Sequence, residues 1–395
     1  MKRHIPFNKP SFTGKELEYI SNSVLSGKIS GDGIYTQKCH ELLEKQFKAE
    51  KVLLTTSCTH ALELASLLLD LTEGDEVIVP SYTFVSTVNA FMLRGAKPVF
   101  VDIREDTKNI NENLIEEKIT KKTKAIFPVH YAGISCNMDK IKKIAENHNL
   151  FVVEDAAQAV NAMYKSSYLG TIGTFGCYSF HETKNFICGE GGAIVINDER
   201  FVERAEIIRE KGTNRTKFFR GEIDKYTWVD LGSSYLPSDV LSAFLYAQLE
   251  NMDEITKKRK KIFSRYFEDF IDLKEKGIIQ LPYIPFECIS NYHMFYIVLR
   301  NEIERGNLID YLKKKGISSV FHYLPLHISG MGQKLGYKKG DCPVTEDISK
   351  RLLRLPFYND LTAEEQKYII NSVREYFEVK SKNSQETLLI NNAVN

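Results

Sequence analysis

The segment FVVEDAAQAV (residues 151–160), followed by GTIGTFGCYSFHETKNFICGEGGA (residues 170–193), sets the architecture that we expect for the chain. Its first apolar run ends on two carboxylates, Glu154 and Asp155, and its second apolar run ends shortly before Lys184. A glycine-rich turn then leads into a third apolar run. Open α/β sheets bind ligands at the carboxyl ends of their strands, where such an acid would lie. The segment therefore predicts consecutive buried strands with a ligand site at their ends.

The residues at these strand ends suit one class of cofactor. A lysine forms Schiff bases with carbonyl groups, and burial or a neighbouring cation can make it nucleophilic by lowering its pKa. A carboxylate that faces a pyridinium nitrogen keeps the ring protonated, so that the ring acts as an electron sink. Pyridoxal phosphate (PLP) fits this pair, with Lys184 as the Schiff-base lysine and Asp155 as the partner of the ring nitrogen. Taken singly, an aspartate at a strand end is commonly a cap or turn former, and a lysine is commonly surface.

Three short motifs extend this interpretation. The segments EDAAQA (154–159), SFHETKN (179–185) and GEGGA (189–193) resemble the sugar aminotransferases of the DegT/DnrJ family, which are fold type I PLP enzymes. The resemblance runs from IPFNKP (5–10) through FHYLPLH (321–327). It implies an α/β fold in which a large domain with a mostly parallel seven-stranded sheet is joined to a smaller C-terminal α+β domain.

The predicted domains divide the chain of 395 residues, which is long enough for two hydrophobic cores. We expect a large PLP-binding domain over residues 1–250, with its N-terminal segment at a dimer interface, and a small domain over residues 251–380. The remaining residues, 381–395, are rich in Ser, Asn and Gln and are predicted to be disordered. Alternating strand and helix signals between residues 52 and 153 favour a buried parallel sheet in the large domain.

Composition excludes several other classes of protein. A net charge of +1 gives no electrostatic case for binding nucleic acid or an anionic membrane. No apolar stretch approaches the roughly 18 residues of a membrane span, and the N-terminus lacks the apolar core of a signal peptide. The seven cysteines show no CxxC spacing, which argues against a disulfide framework or a zinc site. We therefore expect a cytoplasmic enzyme with reduced thiols and no metal.

The resemblance implies a set of cofactor contacts. Small hydroxyl residues between a strand and the helix that follows it form an anion site, although Ser57 or Thr59 could also act as a simple helix cap. Phe84 is expected against the ring face, and Ser234 stands where the family often has an asparagine that reaches the phosphate in the partner subunit. The implied cofactor-binding set is Cys58 (through its backbone), Thr59, Phe84, Asp155, Gln158, Ser179, Lys184 and Ser234.

A basic and aromatic segment, IIREKGTNRTKFFRGEIDKYTW (207–228), carries the substrate prediction. Cations can bind a diphosphate and aromatic rings can pack on a base or sugar, although a short segment of this kind could also be a solvated loop. The segment is similar to family members that make dTDP-4-amino-4,6-dideoxygalactose for enterobacterial common antigen. The resemblance thus implies dTDP-4-keto-6-deoxy-D-glucose as acceptor, L-glutamate as donor, and a homodimer with a shared active site. The predicted substrate-binding residues are Lys211, Arg215, Arg220, Tyr323 and His327.

Other functions stay open at this stage. A 3-keto sugar or a different nucleotide would require the same residue types. The related PLP-dependent sugar dehydratases have histidine at the lysine position, so Lys184 argues against that activity. A non-catalytic PLP-binding regulator is disfavoured because Asp155, Gln158, Ser179 and Lys184 are all present.

Overall fold

The protein is described by a computed structural model for residues 4–393, with side chains described as far as residue 380. The strands are β1 (Lys51–Thr55), β2 (Glu76–Pro80), β3 (Lys97–Val101), β4 (Thr123–Ile126), β5 (Phe151–Asp155), β6 (Met163–Tyr164), β7 (Ser167–Tyr168), β8 (Phe175–Ser179), β9 (Gly192–Ile196), β10 (Cys288–Ile289), β11 (Tyr296–Val298), β12 (Val320–Phe321) and β13 (Leu352–Arg354).

Helices connect and cover these strands. They are α1 (Glu16–Leu25), α2 (Ile34–Phe47), α3 (Cys58–Leu68), α4 (Val85–Met92), α5 (Met138–His148), α6 (Val202–Arg209), α7 (Arg215–Phe219), α8 (Asp239–Leu249), α9 (Met252–Glu275), α10 (Glu302–Lys314), α11 (Gly330–Lys334), α12 (Pro343–Arg351) and α13 (Ala363–Ala393). Short 3₁₀ helices lie at Glu116–Lys118, Tyr131–Gly133, Glu199–Phe201 and Leu326–Ile328. None of the helices within residues 4–393 is long and apolar enough to cross a bilayer.

The central sheet has seven strands in the order β1-β9-β8-β5-β4-β2-β3. The strands from β3 to β8 in this order pair in parallel, whereas β9 pairs antiparallel with both β8 and β1. Because β1 is antiparallel to β9, it runs in the same direction as β8, so the carboxyl ends of β1, β2, β4, β5 and β8 meet at one edge. The predicted mostly parallel seven-stranded sheet and α/β class are confirmed.

Both faces of this sheet are buried, because successive side chains of a strand point to opposite faces. In β1, Val52 and Leu54 belong to the core on one face, while Leu53 belongs to the core on the other. Strand β5 divides in the same way, with Val152 on the first face and Val153 on the second. The alternation continues to the end of β5 and separates its two carboxylates.

Glu154 is a structural carboxylate. Its Oε2 accepts a hydrogen bond from the Gly170 N–H at 2.9 Å and lies 2.8 Å from Nε2 of His130. Its Oε1 accepts from the N–H groups of Ile172 at 2.7 Å and Gly173 at 2.6 Å. Since Nδ1 of His130 accepts from the Cys136 N–H at 3.2 Å, the ring proton lies on Nε2 and is donated to Glu154. His130 is therefore a structural residue that is buried against Glu154.

The C-terminal part of the chain builds a second, smaller sheet with the order β11-β13-β12. Its inner face and the helices α9, α10 and α13 enclose a separate core that includes Tyr266, Phe270 and Phe295. The domain boundary near residue 250 stays a prediction. Helix α13 continues to Ala393, so the backbone is helical over most of the tail (381–395) for which the sequence predicted disorder. The side chains of that tail lie outside the described residues.

Candidate active site

A cavity of about 650 Å³ lies at the carboxyl edge of the central sheet. Its walls come from the start of α3, from the segments that follow β2, β5 and β8, and from the small sheet. Seven of the eight predicted cofactor-binding residues line it: Cys58, Thr59, Phe84, Asp155, Gln158, Ser179 and Lys184. The structure thus brings together residues that lie far apart in the sequence.

Lys184 lies in the turn after β8, where its N–H donates to the His181 carbonyl at 2.9 Å. The next residue is fixed on both sides: the Asn185 side chain donates to the Asn291 carbonyl at 2.7 Å and contacts Nδ1 of His293 at 2.9 Å. Burial lowers the pKa of Lys184, and the charge of Arg354 lowers it further, against the opposing effect of Cys58 and Asp155. A lowered pKa favours the neutral amine, which is the nucleophilic form.

Asp155 lies at the floor of the cavity and is 6% exposed. Its Oδ2 accepts a hydrogen bond from the Thr87 hydroxyl at 2.6 Å, and its Oδ1 accepts from the Ala157 N–H at 3.1 Å. Thr87 is in turn hydrogen-bonded to Thr83 at 2.8 Å. These bonds fix a carboxylate without neutralising it, which suits a partner for a protonated ring nitrogen.

The predicted anion site lies at the N-terminus of α3. Ser57 is the cap, because its hydroxyl accepts from the His60 N–H at 3.1 Å, so the capping alternative is confirmed for Ser57. The N–H groups of Cys58 and Thr59 belong to the first turn, whose donors have no acceptor within the helix. Gly192 lets the backbone approach this turn, since a Cβ atom there would lie 2.4 Å from the Cys58 nitrogen. Capping and anion binding are therefore compatible.

Aromatic and amide side chains form the remaining wall. The ring of Phe84 is 57% exposed and its centroid lies 6.4 Å from that of Tyr323. Gln158 is held between the Ala132 N–H, which donates to its Oε1 at 2.7 Å, and the Tyr323 hydroxyl, which lies 2.9 Å from its Nε2. Tyr323, predicted to bind substrate, thus lines the same cavity as the cofactor residues.

The sequence analysis missed several cavity residues, among them three with basic side chains: His293, His322 and Arg354. Burial lowers the pKa of both histidines, and the charges of Lys184 and Arg354 lower these pKa values further. Both rings are therefore neutral. His322 lies within the FHYLPLH motif, which was a usable signal, whereas neither His293 nor Arg354 belongs to a motif that we had singled out.

The structure separates four predicted residues from this cavity. Lys211, Arg215, Arg220 and Ser234 line a second cavity of about 790 Å³ in the same chain. Their cationic groups are paired with carboxylates: Lys211 and Arg215 with Glu210, at 3.0 and 3.3 Å, and Arg220 with Glu206 at 2.9 Å. Within one chain, these residues do not meet Lys184.

His327, which was predicted to bind substrate, does not line the first cavity. This side chain is fully buried, its Nδ1 lies 2.6 Å from the Ser81 hydroxyl, and its Nε2 lies 3.0 Å from a carboxylate oxygen of Glu346. Both ring nitrogens are engaged inside the protein, so within this chain His327 fixes the loop after β12. Among the residues that the structure describes, no cluster of His, Cys, Asp and Glu side chains is arranged to hold a metal ion.

Comparison with known proteins decides the family. Residues 10–374 match the DegT/DnrJ/EryC1/StrS aminotransferase family. The chain belongs to this family. It is a PLP-dependent sugar aminotransferase, and the residues of the first cavity fit that cofactor: an amine for its carbonyl, a fixed carboxylate for its ring nitrogen and a helix N-terminus for its phosphate.

Individual relatives of the DegT/DnrJ/EryC1/StrS family agree with this assignment. GDP-perosamine synthase from Escherichia coli O157:H7 is 34% identical over 96% of this chain and 100% of its own length. The PLP form of the candidate sugar aminotransferase Spr1654 from Streptococcus pneumoniae superimposes with a TM-score of 0.87 at 28% identity, over 94% of this chain and 97% of that one. Helicobacter pylori PseC, an aminotransferase of pseudoaminic acid biosynthesis, gives a TM-score of 0.87 at 25% identity, over 95% of this chain and 100% of that one.

Proposed function

We propose that this aminotransferase moves the amino group of L-glutamate to the carbonyl carbon of dTDP-4-keto-6-deoxy-D-glucose. The products are 2-oxoglutarate and dTDP-4-amino-4,6-dideoxy-D-galactose, a building block for surface polysaccharides such as enterobacterial common antigen. The main support for amino transfer is that the Lys184 amine and the Asp155 carboxylate line one cavity. We place the reaction in the cytoplasm, in keeping with seven free, buried cysteines.

The residues of the cavity would divide the chemistry among them. PLP, when bound, supplies the electron sink for carbanion character at the donor's α-carbon. Lys184 would take the proton from that carbon as a base and then, once protonated, serve as the acid of the transfer. Asp155 holds positive charge on the ring side of the cavity, and the start of α3 holds the phosphate. Phe84 and Tyr323 cover the site and exclude water.

Similarity of residues 207–228 to dTDP-sugar transaminases supports the choice of nucleotide. GDP-perosamine synthase, whose name gives a GDP-linked product, favours the alternative of a guanine nucleotide. A 3-keto sugar differs from a 4-keto sugar by a tilt of the ring in the pocket. A comparison of acceptor substrates distinguishes these alternatives.

We expect the purified enzyme to turn over L-glutamate with dTDP-4-keto-6-deoxy-D-glucose and to show ping-pong kinetics. The value of kcat/KM should exceed that for GDP-4-keto-6-deoxy-D-mannose by about 100-fold or more, because a site built to hydrogen-bond one base leaves polar groups unpaired with another. Steady-state assays of 2-oxoglutarate release measure both acceptors and the 3-keto isomer. Preference for the GDP sugar or the 3-keto sugar would replace the proposed acceptor, and absence of turnover with every keto sugar would favour a binding function.

We further propose a homodimer in which the second cavity of one subunit completes the first cavity of the other. The segment over residues 215–231, beside the second cavity, exposes large apolar side chains, with Phe219 at 69%, Trp228 at 75% and Leu231 at 52%. Contiguous exposed apolar groups of this size mark protein interfaces. A shared site would bring Ser234 and the predicted substrate residues Lys211, Arg215 and Arg220 to the partner's cofactor.

Mixing two inactive variants tests the shared site. Lys184→Ala removes the reacting amine, and Ser234→Tyr fills the second cavity, so each homodimer should be inactive. A hybrid dimer of the two variants contains one site with both wild-type residues, and we expect roughly a quarter of the wild-type activity in a 1:1 mixture after subunit exchange, since half of the randomly assorted dimers then hold one of two sites. Failure to recover activity, with hybrid dimers demonstrated by mass spectrometry, would contradict the shared site.

A further inference from the structure

Arg354 lies on the small sheet at the wall of the first cavity. Its strand, β13, is the central strand of that sheet, with Tyr296 and Val320 as the register partners of Arg354. The neighbours Leu353 and Leu355 point into the core of the small sheet. Because side chains alternate along a strand, Arg354 points the other way, toward the cavity. A rigid element therefore aims a guanidinium group at the site.

The guanidinium group lacks an anionic partner within the described part of the chain. Its Nε is buried without a hydrogen-bond acceptor, and the contact it does make is with the ring of Phe7, whose centroid lies 4.6 Å away. Arg259 gives the contrast, since its three donor nitrogens bond to the carbonyls of Tyr292 and His293 and to the side chain of Asn359. A partly buried cation without an anionic partner is unfavourable, so Arg354 is suited to a ligand that carries a negative charge.

The position of Arg354 relative to the other charged groups indicates which anionic group it binds. The cofactor phosphate has its own site at the start of α3, on the wall formed by the large sheet. Arg354 and Lys184 line the same cavity, together with His293 and His322. Arg354 is the one arginine among the described residues that line this cavity, and His293 and His322 are neutral.

On the basis of the proposed function, we infer that Arg354 binds the α-carboxylate of the amino donor while the donor's amino group faces Lys184. A guanidinium group can hold a carboxylate through two parallel hydrogen bonds, which fixes both its position and its orientation. Fixing the carboxylate orients the α-carbon toward the Lys184 amine. Arg354 is then a donor-specific residue, since an amino sugar has no carboxylate.

The two half-reactions separate this role from a structural one. In Arg354→Gln holoenzyme, the second-order rate constant of the half-reaction with L-glutamate should fall about 10- to 100-fold. This is the usual range for loss of a hydrogen bond to a charged group. The reverse half-reaction with the amino sugar product should stay within about twofold of wild type, because it makes no carboxylate contact. Arg354→Lys should recover part of the glutamate rate. Arg300→Gln, which removes an exposed arginine beside the small sheet, serves as the matched control.

A binding measurement checks the assignment without turnover. 2-Methylglutamate lacks the α-hydrogen and cannot react further, so calorimetry reports its affinity directly. Arg354→Gln should weaken its binding by a similar factor, whereas binding of 4-aminobutyrate, which is glutamate without the α-carboxylate, should not change. Equal losses in both half-reactions, or unchanged glutamate kinetics, would overturn the assignment of Arg354. Wild-type enzyme that reacts with neither glutamate nor the amino sugar would instead overturn the proposed function.

Discussion

Substitution of Lys184 by alanine is expected to lower kcat by at least about 10⁴-fold, the upper end of what one acid–base group contributes. The loss should be this large because the same amine attacks the carbonyl and carries the proton. The pKa of Lys184 is lowered chiefly by burial, which favours the neutral, nucleophilic amine. Single-turnover assays with L-glutamate measure the loss directly.

Two controls identify the cause of that loss. Lys257→Ala removes a lysine that is 78% exposed and should leave kcat unchanged. Borohydride treatment of the wild type should attach the cofactor irreversibly to the peptide that contains Lys184, and mass spectrometry of Lys184→Ala should find no attachment. Retention of more than about a hundredth of wild-type kcat in Lys184→Ala would show that another group does this chemistry.

The predictions that succeeded depend on short-range patterns. The apolar runs that end at Asp155 and shortly before Lys184 correspond to β5 and β8, and parallel pairing places their carboxyl ends side by side. Which of the two adjacent acids faces the cavity follows from the alternation of side chains. Glu154 turns toward His130 and Asp155 toward the ligand. Because both residues are acidic, their charges do not show which of them faces the cavity, and the structure is needed to decide it.

Other features of the site depend on long-range packing, which the sequence does not show. Arg354 reaches the cavity because the small sheet folds back onto the edge of the large one, and no local spacing records that contact. His327 shares a motif with Tyr323, yet its ring is hydrogen-bonded to Ser81, which follows β2 and is far away in sequence. Lys211 and Arg215 were chosen for their charge, but Glu210 pairs with both. The sequence shows which side chains are charged, but the fold determines which of them form ion pairs.

Asp155→Asn is expected to lower kcat by about 100- to 1000-fold, the usual effect of removing one preorganised electrostatic contact from an active site. Asparagine has nearly the same shape and can still accept from the Ala157 N–H, so the variant should fold and bind the cofactor. What it loses is the negative charge that keeps the ring nitrogen protonated, and with it the electron sink. Rapid-mixing assays with L-glutamate measure the rate constant, and thermal unfolding checks the fold.

Thr87→Val provides a graded control for Asp155, because it removes the 2.6 Å hydrogen bond to Oδ2 while keeping the carboxylate. We expect a smaller loss, about 10-fold, in line with one hydrogen bond to a charged group. We therefore expect kcat to decrease from wild type to Thr87→Val to Asp155→Asn. The first substitution removes a bond that orients the carboxylate, and the second removes its charge. If Thr87→Val were as damaging as Asp155→Asn at equal stability, the orientation set by Thr87 would matter more than the charge. If Asp155→Asn retained wild-type kcat, Asp155 would have no part in the reaction. Glu154 could not replace Asp155, because the Glu154 carboxylate is held on the opposite face of the sheet by Gly170, Ile172 and Gly173.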